Sequence, residues 1–237
     1  MIKKRLPDLI ISDIMMPGMN GHELCRRVKE NLETSHIPFI LLTALGDKDN
    51  ILTGLECKAD HYIVKPFDLT MLKANICNLL ENRDQLRKQL QKSIIASLKR
   101  DGQFVESQPT EPASLDDEFI SQVTTMIKEG LGKGLNVDTL CAALNMSRTS
   151  FYHKIKALTG LPPAELIRNI RMEEALVLLK SQRYTIAEVS TILGFADPKY
   201  FTDTFKKQYG VTPSVYAKKE STQKNNESYR QHKPIKE

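Results

Sequence analysis

Short apolar runs alternate with polar, helix-like segments over residues 6–68. The runs predict three β-strands, and the polar segments between them predict two helices. The strands are placed at Leu9–Asp13, Pro38–Thr43 and His61–Val64, and the helices at Gly21–Glu33 and Asp47–Lys58. Strands that alternate with helices are typical of a parallel sheet. This part of the chain is therefore predicted to be an α/β unit.

A long helix is predicted from Leu69 onward. Its apolar residues recur at steps of three and four, with one interruption at Arg83: Leu69, Leu72, Ile76, Leu79, Leu86 and Leu90. Such spacing forms an a/d seam of about three heptads. Two interpretations stay open. The helix packs on its own sheet, or the seam pairs two copies of the chain as a homodimer.

The remainder divides into three parts. Residues 99–114 are polar and contain two prolines, which predicts a linker after a first domain at residues 1–98. Residues 115–219 have helical periodicity throughout, with Ser114 and Asp117 forming a capping box at the first helix. Residues 220–237 are polar and poor in aromatic side chains, which predicts a disordered tail.

The helical part contains an internal repeat. Residues 137–163 align with residues 186–213, at an offset of 49 before the turn and 50 after it. Each copy predicts a short helix, a tight turn and a second helix, which is the minimum needed to place a helix in the major groove. One such unit is often plain helical packing, but two copies could place two recognition helices about 34 Å apart, the repeat of successive major grooves.

Composition narrows the class of protein. The net charge of the 237 residues is +5, of which residues 115–237 carry +4, a modest excess that permits binding to nucleic acid. The four cysteines are scattered, as expected for reduced thiols rather than disulfides or a zinc site. The apolar runs are too short for a membrane span, and the N-terminus lacks a signal cleavage site. A cytoplasmic protein without membrane contact is expected.

Residues 115–219 resemble the DNA-binding domain of the AraC family of transcription regulators. The resemblance rests on "GF-x-D-x-x-YF-x-x-x-FKK-x-x-G-x-TP-x-x-Y", from Gly194 to Tyr216. It implies an all-α domain of seven helices that binds double-stranded DNA through two helix-turn-helix units. The base-facing positions that it implies are Arg148, Thr149, Tyr152, His153, Pro198, Lys199, Thr202 and Asp203. Asp203 departs from the basic residue often found there, and a carboxylate repels phosphate although it can accept from cytosine.

Residues 6–68 resemble the later portion of a two-component receiver domain, a flavodoxin-like α/β fold. The matching motifs, in order, are "SD-x-x-MPGMNG", "LLTA" and "AD-x-Y-x-x-KPF", from Ser12 to Phe67. The resemblance implies that Asp13 is the phosphoacceptor and that a histidine kinase is the phosphodonor. It also implies that Lys65 neutralises the phosphoryl group and that Thr43 and Tyr62 form the switch. Lys65-Pro66 is expected to be a cis peptide bond.

The same resemblance implies a Mg²⁺ site that this sequence supplies only in part. Asp13 and the Met15 carbonyl are two candidate ligands, but the acidic pair of a receiver's first strand has no counterpart. We therefore expect a truncated receiver, a C-terminal piece of a longer protein. Both a hybrid histidine kinase and a free response regulator remain open.

Three functions from different classes remain. The first is a DNA-binding transcription regulator of a two-component phosphorelay, controlled through its receiver. The second is a DNA-binding protein whose incomplete receiver serves only as a dimerisation platform. The third, an α/β enzyme, has little support, because the sequence contains neither a phosphate-cradling glycine loop nor a nucleophile elbow.

Overall fold

A computed structural model describes residues 6–44, 57–99 and 114–219 of the chain. Most of the predicted helix over residues 47–58, most of the predicted linker and the predicted tail lie outside these residues. The described residues form two compact units. The first combines the described part of residues 6–93 with residues 114–122 and 141–163. The second contains residues 94–99, 123–140 and 164–219.

The first unit contains a parallel sheet of three described strands in the order β1-β2-β3. The strands are β1 (Ile10–Asp13), β2 (Phe39–Ala44) and β3 (His61–Lys65). Each begins or ends within about one residue of the prediction, because the apolar runs are short and sharply bounded. The register pairs Asp13 with Leu42 and Ala44 with Lys65. The carboxyl ends of the three strands therefore meet at one edge of the sheet.

Helix α1 (Gly21–Lys29) is shorter than predicted. It was expected to reach Glu33, but Asn31 starts a local turn in which its carbonyl accepts from Thr34 and Ser35 and its side chain accepts from Glu33. Asparagine side chains compete with helical hydrogen bonds in this way. The start of the helix requires glycine, because a Cβ at Gly21 would lie 2.3 Å from the Asp13 carbonyl oxygen. The loop after β1 is thus held tightly against α1.

Helix α2 (Leu69–Lys99) is the long helix that the sequence predicts. Asp68 caps it by accepting from the Thr70 N–H at 3.0 Å. Its predicted seam is only partly covered: Leu69 is 74% exposed and Leu86 62% exposed, whereas the other four seam residues are half-buried. The interruption at Arg83 has a physical reason, because this guanidinium turns to the sheet and donates to the His36 carbonyl and to Asp60.

The predicted all-α region is helical throughout its described residues. Helix α3 (Leu115–Glu129) begins with the predicted capping box, in which Ser114 and Asp117 exchange hydrogen bonds of 3.2 Å. The other helices are α4 (Val137–Ala143), α5 (Arg148–Thr159), α6 (Pro163–Ser181), α7 (Ile186–Ile192), α8 (Pro198–Tyr209) and α9 (residues 213–219). No described helix is long and apolar enough to cross a membrane.

Each unit has its own core. In the first, a cluster below the sheet contains Cys25, Val28, Phe39 and Leu41, and Phe119 of α3 packs edge-on against Phe151 of α5 with ring centroids 6.1 Å apart. In the second, α6, α7 and α8 bury Met172, Ala175, Leu179, Val189, Leu193, Phe201 and Phe205. The second helix of each repeat copy is therefore anchored by buried aromatic rings. These are Phe151 on α5, and Phe201 and Phe205 on α8.

Candidate phosphoacceptor site and DNA-binding surfaces

Asp13 and Lys65 form an ion pair at the carboxyl edge of the sheet. The Lys65 ammonium donates to one carboxylate oxygen of Asp13, and the Met15 N–H donates to the other at 3.3 Å. The Lys65 hydrogen bond holds the pKa of Asp13 below its usual value, so this carboxylate is ionised at neutral pH. The Asp13 side chain is 36% exposed and the Lys65 side chain is 41% exposed, which leaves the carboxylate open to solvent.

Thr43 and Tyr62 lie deeper than the ion pair. Thr43, near the end of β2, is 1% exposed and its hydroxyl donates to the Ala44 carbonyl at 3.4 Å. The Tyr62 hydroxyl lies 3.6 Å from Cys57 Sγ, and its ring packs against the cluster below the sheet. Burial raises the pKa of Tyr62. The predicted cis bond at Lys65-Pro66 is confirmed.

The donor set around Asp13 does not fit Mg²⁺. A magnesium site in a protein takes near-octahedral oxygen ligands, usually with one or two carboxylates and several waters. Nowhere among the described side chains do three or more His, Cys, Asp or Glu residues come together as a group that could hold a metal ion. One Asp13 oxygen is also engaged by the Lys65 ammonium. Asp13 and the Met15 carbonyl alone do not make a divalent-cation site.

Asp60 is the centre of a charge network that the sequence did not reveal. Its carboxylate accepts from Lys29 at 2.5 Å, from Arg83 at 3.1 Å and from the Phe39 N–H at 2.7 Å. Although burial raises the pKa of Asp60, the two cations hold it below its usual value. The "AD-x-Y" motif contains this aspartate, but its partners lie 31 and 23 positions away. The network ties α1, β2 and α2 together.

The two helix-turn-helix copies have the same internal hydrogen bonds. In the first turn, Asn145 has a φ of 51° and donates to Ala142, while Met146 donates to Cys141. In the second, Gly194 has a φ of 77°, and the corresponding donations run to Thr191 and Ser190. Each of these residues in the first turn lies 49 positions before its counterpart in the second, which agrees with the offset of the sequence alignment. The second helices end alike, at Gly160 and Gly210 in the left-handed region.

The first predicted set of base-facing residues is exposed on α5. Arg148, Thr149, Tyr152 and His153 all lie at the surface. The Tyr152 and His153 rings meet edge-to-face with centroids 5.9 Å apart, and the Lys156 ammonium lies 5.7 Å from the Tyr152 ring. His153 also lines a cavity with His36 and with Arg83 and Arg87 of α2. The N-terminal half of α5 therefore presents hydroxyl, cationic and aromatic groups together.

The second predicted set lies on α8. Pro198, Lys199 and Asp203 are exposed, and the helix is capped by Asp197, which accepts from the Lys199 N–H at 2.8 Å. Thr202 is half-buried, and its hydroxyl donates to the Pro198 carbonyl at 2.9 Å. That hydroxyl can still accept a hydrogen bond from a ligand.

Two protein families match separate parts of this chain. Residues 1–77 match the family described as a response regulator receiver domain, and residues 140–219 match the family described as a helix-turn-helix domain. Histidine kinase P4 of Formosa agariphila is 36% identical over 93% of this chain, which covers 16% of that kinase. The phosphate regulon transcriptional regulatory protein PhoB of Rhizobium meliloti is 46% identical over 33% of this chain and 35% of its own length.

Among solved structures, the C-terminal domain of AraT, a response regulator from Geobacillus stearothermophilus, is 28% identical. That likeness covers 43% of this chain and 84% of the AraT chain, with a TM-score of 0.40. This chain spans 16% of the length of histidine kinase P4 and 35% of that of PhoB. It contains a receiver domain of the response regulator type, followed by an AraC-type helix-turn-helix domain.

Proposed function

We propose that the chain is a sequence-specific, DNA-binding transcription regulator of a two-component phosphorelay and has no enzymatic activity of its own. Its partners are double-stranded DNA and a histidine kinase that donates the phosphoryl group, and it acts in the cytoplasm. The observation that carries the proposal is the repeated turn geometry, which presents one set of exposed polar residues on α5 and another on α8. Exposed hydroxyls and cations at the start of a recognition helix are suited to base edges and phosphates.

The roles proposed for the eight helix residues follow from their chemistry. Arg148 and Lys199 donate to guanine or phosphate oxygens, and Thr149, Tyr152, His153 and Thr202 offer hydrogen-bonding groups beside them. Pro198 contributes an apolar surface, and Asp203 accepts from a cytosine amine. The experiment that tests this function selects duplexes from a random library with the wild-type chain. A recovered common sequence that binds more tightly than its scrambled form supports the proposal.

Asp13 is the proposed phosphoacceptor. An ionised carboxylate at an open sheet edge can attack a phosphoryl group and form an acyl phosphate, while the donor's leaving group takes the electron pair. Lys65 lies where its ammonium can offset charge on the phosphoryl oxygens. Thr43 and Tyr62 are the proposed switch residues, because a hydroxyl near the sheet edge and a half-buried ring on β3 can convert a charge change into repacking.

We expect no acid-labile, alkali-labile phosphate label on this chain after incubation with acetyl phosphate and Mg²⁺. The donor set does not hold the divalent cation, and Lys65 alone supplies a single positive charge. A longer chain that supplies an acidic pair on an additional N-terminal strand is expected to be labelled, and Asp13→Asn in that chain abolishes the label. The label is followed by mass spectrometry of intact protein. Labelling of the short chain at Asp13 contradicts this prediction.

A second candidate function is a DNA-binding protein whose receiver is only a dimerisation platform. Two observations favour it: the unsuitable metal donors beside Asp13 and the exposed leucines of the α2 seam. If the longer chain takes up no phosphate label, this second function is the better supported one. Both candidates include a homodimer built on α2.

Leu79→Asp combined with Leu86→Asp is expected to convert a dimer to a monomer. A carboxylate in an apolar seam loses its hydration without gaining a partner, which strongly disfavours association. Sedimentation equilibrium measures the mass of wild-type and variant chains. Lys88→Ala on the same helix is the control, since its exposed side chain pairs only with Asp84 in the described contacts. A monomeric wild-type chain at micromolar concentration rules out the seam as an interface.

A further inference from the structure

The C-terminal end of α5 is capped by side chains of α2. Arg87 Nε donates to the Ala157 carbonyl at 2.5 Å, and Gln91 Nε2 donates to the Thr159 carbonyl. The last carbonyls of a helix have no partner within the helix, and this end carries partial negative charge. A guanidinium and an amide spaced four residues apart on α2 thus satisfy two acceptors of the first recognition helix.

A fully buried lysine on α5 makes a second contact with the receiver residues. The Lys154 ammonium donates to Asp116 at 2.5 Å and to Ser35 Oγ at 2.7 Å, and Ser35 in turn donates to the same carboxylate at 2.7 Å. The ammonium also lies 4.9 Å from the Phe119 ring centroid. In the second repeat copy, the position of Lys154 is occupied by Thr204. The buried cation is therefore particular to the copy that meets the receiver.

These contacts leave the N-terminal part of the proposed base-reading set open. Lys154, Ala157 and Thr159 lie in the C-terminal half of α5, whereas Arg148 and Thr149 lie at its N-terminus and are exposed. Recognition helices contact bases mainly through their N-terminal residues. The receiver therefore supports α5 from the end that does not face the bases.

Helix α2 is also fixed to the receiver sheet one turn before these caps. Arg83 pairs with Asp60 at 3.1 Å and donates to the His36 carbonyl. Arg83 and Arg87 are neighbours on the helix surface, four residues apart. The orientation of α2 on the sheet is thus transmitted by a short, hydrogen-bonded stretch of helix to the end of α5.

We propose that Arg87, Gln91 and Lys154 are positioning residues through which the receiver sets the orientation of the first recognition helix for base reading. The inference rests on the proposed DNA-binding function. If the three side chains act in this way, their loss weakens the discrimination between base pairs by α5. Discrimination by α8 does not depend on these three side chains.

The test uses the full chain and a duplex that the wild-type protein selects from a random library. Affinities for this duplex and for all its single base-pair substitutions give a specificity profile. The profiles of Arg148→Ala and Lys199→Ala first assign base pairs to α5 and α8. The key variant is Arg87→Ala with Gln91→Ala, and Lys88→Ala is the control on the same helix. Arg87→Lys tests rescue, because it retains a cationic donor for the Ala157 carbonyl.

We expect the double variant to lose about tenfold in discrimination at the α5 base pairs, since two hydrogen bonds to helix carbonyls are lost. Discrimination at the α8 base pairs stays as in the wild type, and Arg87→Lys stays close to wild type at both sets. A purely structural role lowers the active fraction but leaves the profile unchanged, and this result overturns the proposal. Tighter binding by the double variant also overturns it. A wild-type chain that selects no duplex contradicts the DNA-binding function itself.

Discussion

Arg148→Ala combined with Lys199→Ala is expected to lower the affinity of the chain for its selected duplex by about 100-fold. Each side chain is an exposed cation near the start of a recognition helix. The loss of one good base or phosphate contact costs about 1–3 kcal/mol, and the two sites lie on separate helices, so their effects are expected to add. Fluorescence anisotropy with a labelled duplex measures the change.

The matched control for this prediction is Arg26→Ala combined with Lys88→Ala. It removes the same number of positive charges from α1 and α2, outside the two helix-turn-helix copies. We expect only a small, sequence-independent loss of affinity, since general electrostatic attraction acts at long range. An equal loss in both double variants would mean that net charge, and not the two recognition helices, accounts for binding.

Asp60→Ala is expected to destabilise the first unit by about 2–4 kcal/mol, because it leaves largely buried cations without their carboxylate. The Lys29 side chain is 9% exposed and that of Arg83 is 20% exposed, so water replaces little of the lost interaction. Amide hydrogen exchange in β2 reports this unit directly. Glu23→Ala is the control, since Glu23 pairs at the surface with Arg26 and Arg27, and little change is expected.

The contribution of Asp60 to the stability of the first unit depends on pH. Its pKa in the folded chain is held below the unfolded value, so the unfolded chain binds a proton more readily. The stabilisation is present above the unfolded pKa of the carboxyl and is lost as the pH falls through the folded pKa. The difference in the free energy of unfolding between the wild type and Asp60→Ala should therefore become smaller in acid. An advantage that grows in acid would contradict this assignment of the network.

Local patterns in the sequence were sufficient to predict most of the fold. The strands ending at Asp13 and beginning at His61 follow from sharply bounded apolar runs. The repeat predicted a tight turn between two helices in each copy, and the structure places these turns at Asn145 and Gly194. Helix α1 was predicted too long, because the turn at Asn31 competes with a helical pattern that continues to Glu33. Periodicity alone does not resolve that competition.

The long-range contacts could not be predicted from the same patterns. Lys154 falls on a helix rich in charged and polar residues, and no local signal distinguishes its buried ammonium from an exposed one. Its partner Ser35 lies 119 positions away. Likewise, Arg83 interrupts the leucine seam, but its turn toward Asp60 depends on how α2 packs on the sheet. Such contacts arise from tertiary packing, whereas the spacing of residues reports only one element at a time.

We propose above all that this chain reads DNA sequence through two recognition helices. The most direct measurement is the affinity of the wild-type chain for its selected duplex and for a scrambled duplex across a range of salt concentrations. We predict a steep fall in both affinities with salt, because phosphate contacts release counterions, and a preference of about 1,000-fold or more for the selected duplex. Equal affinities for the two duplexes at every salt concentration would contradict the claim.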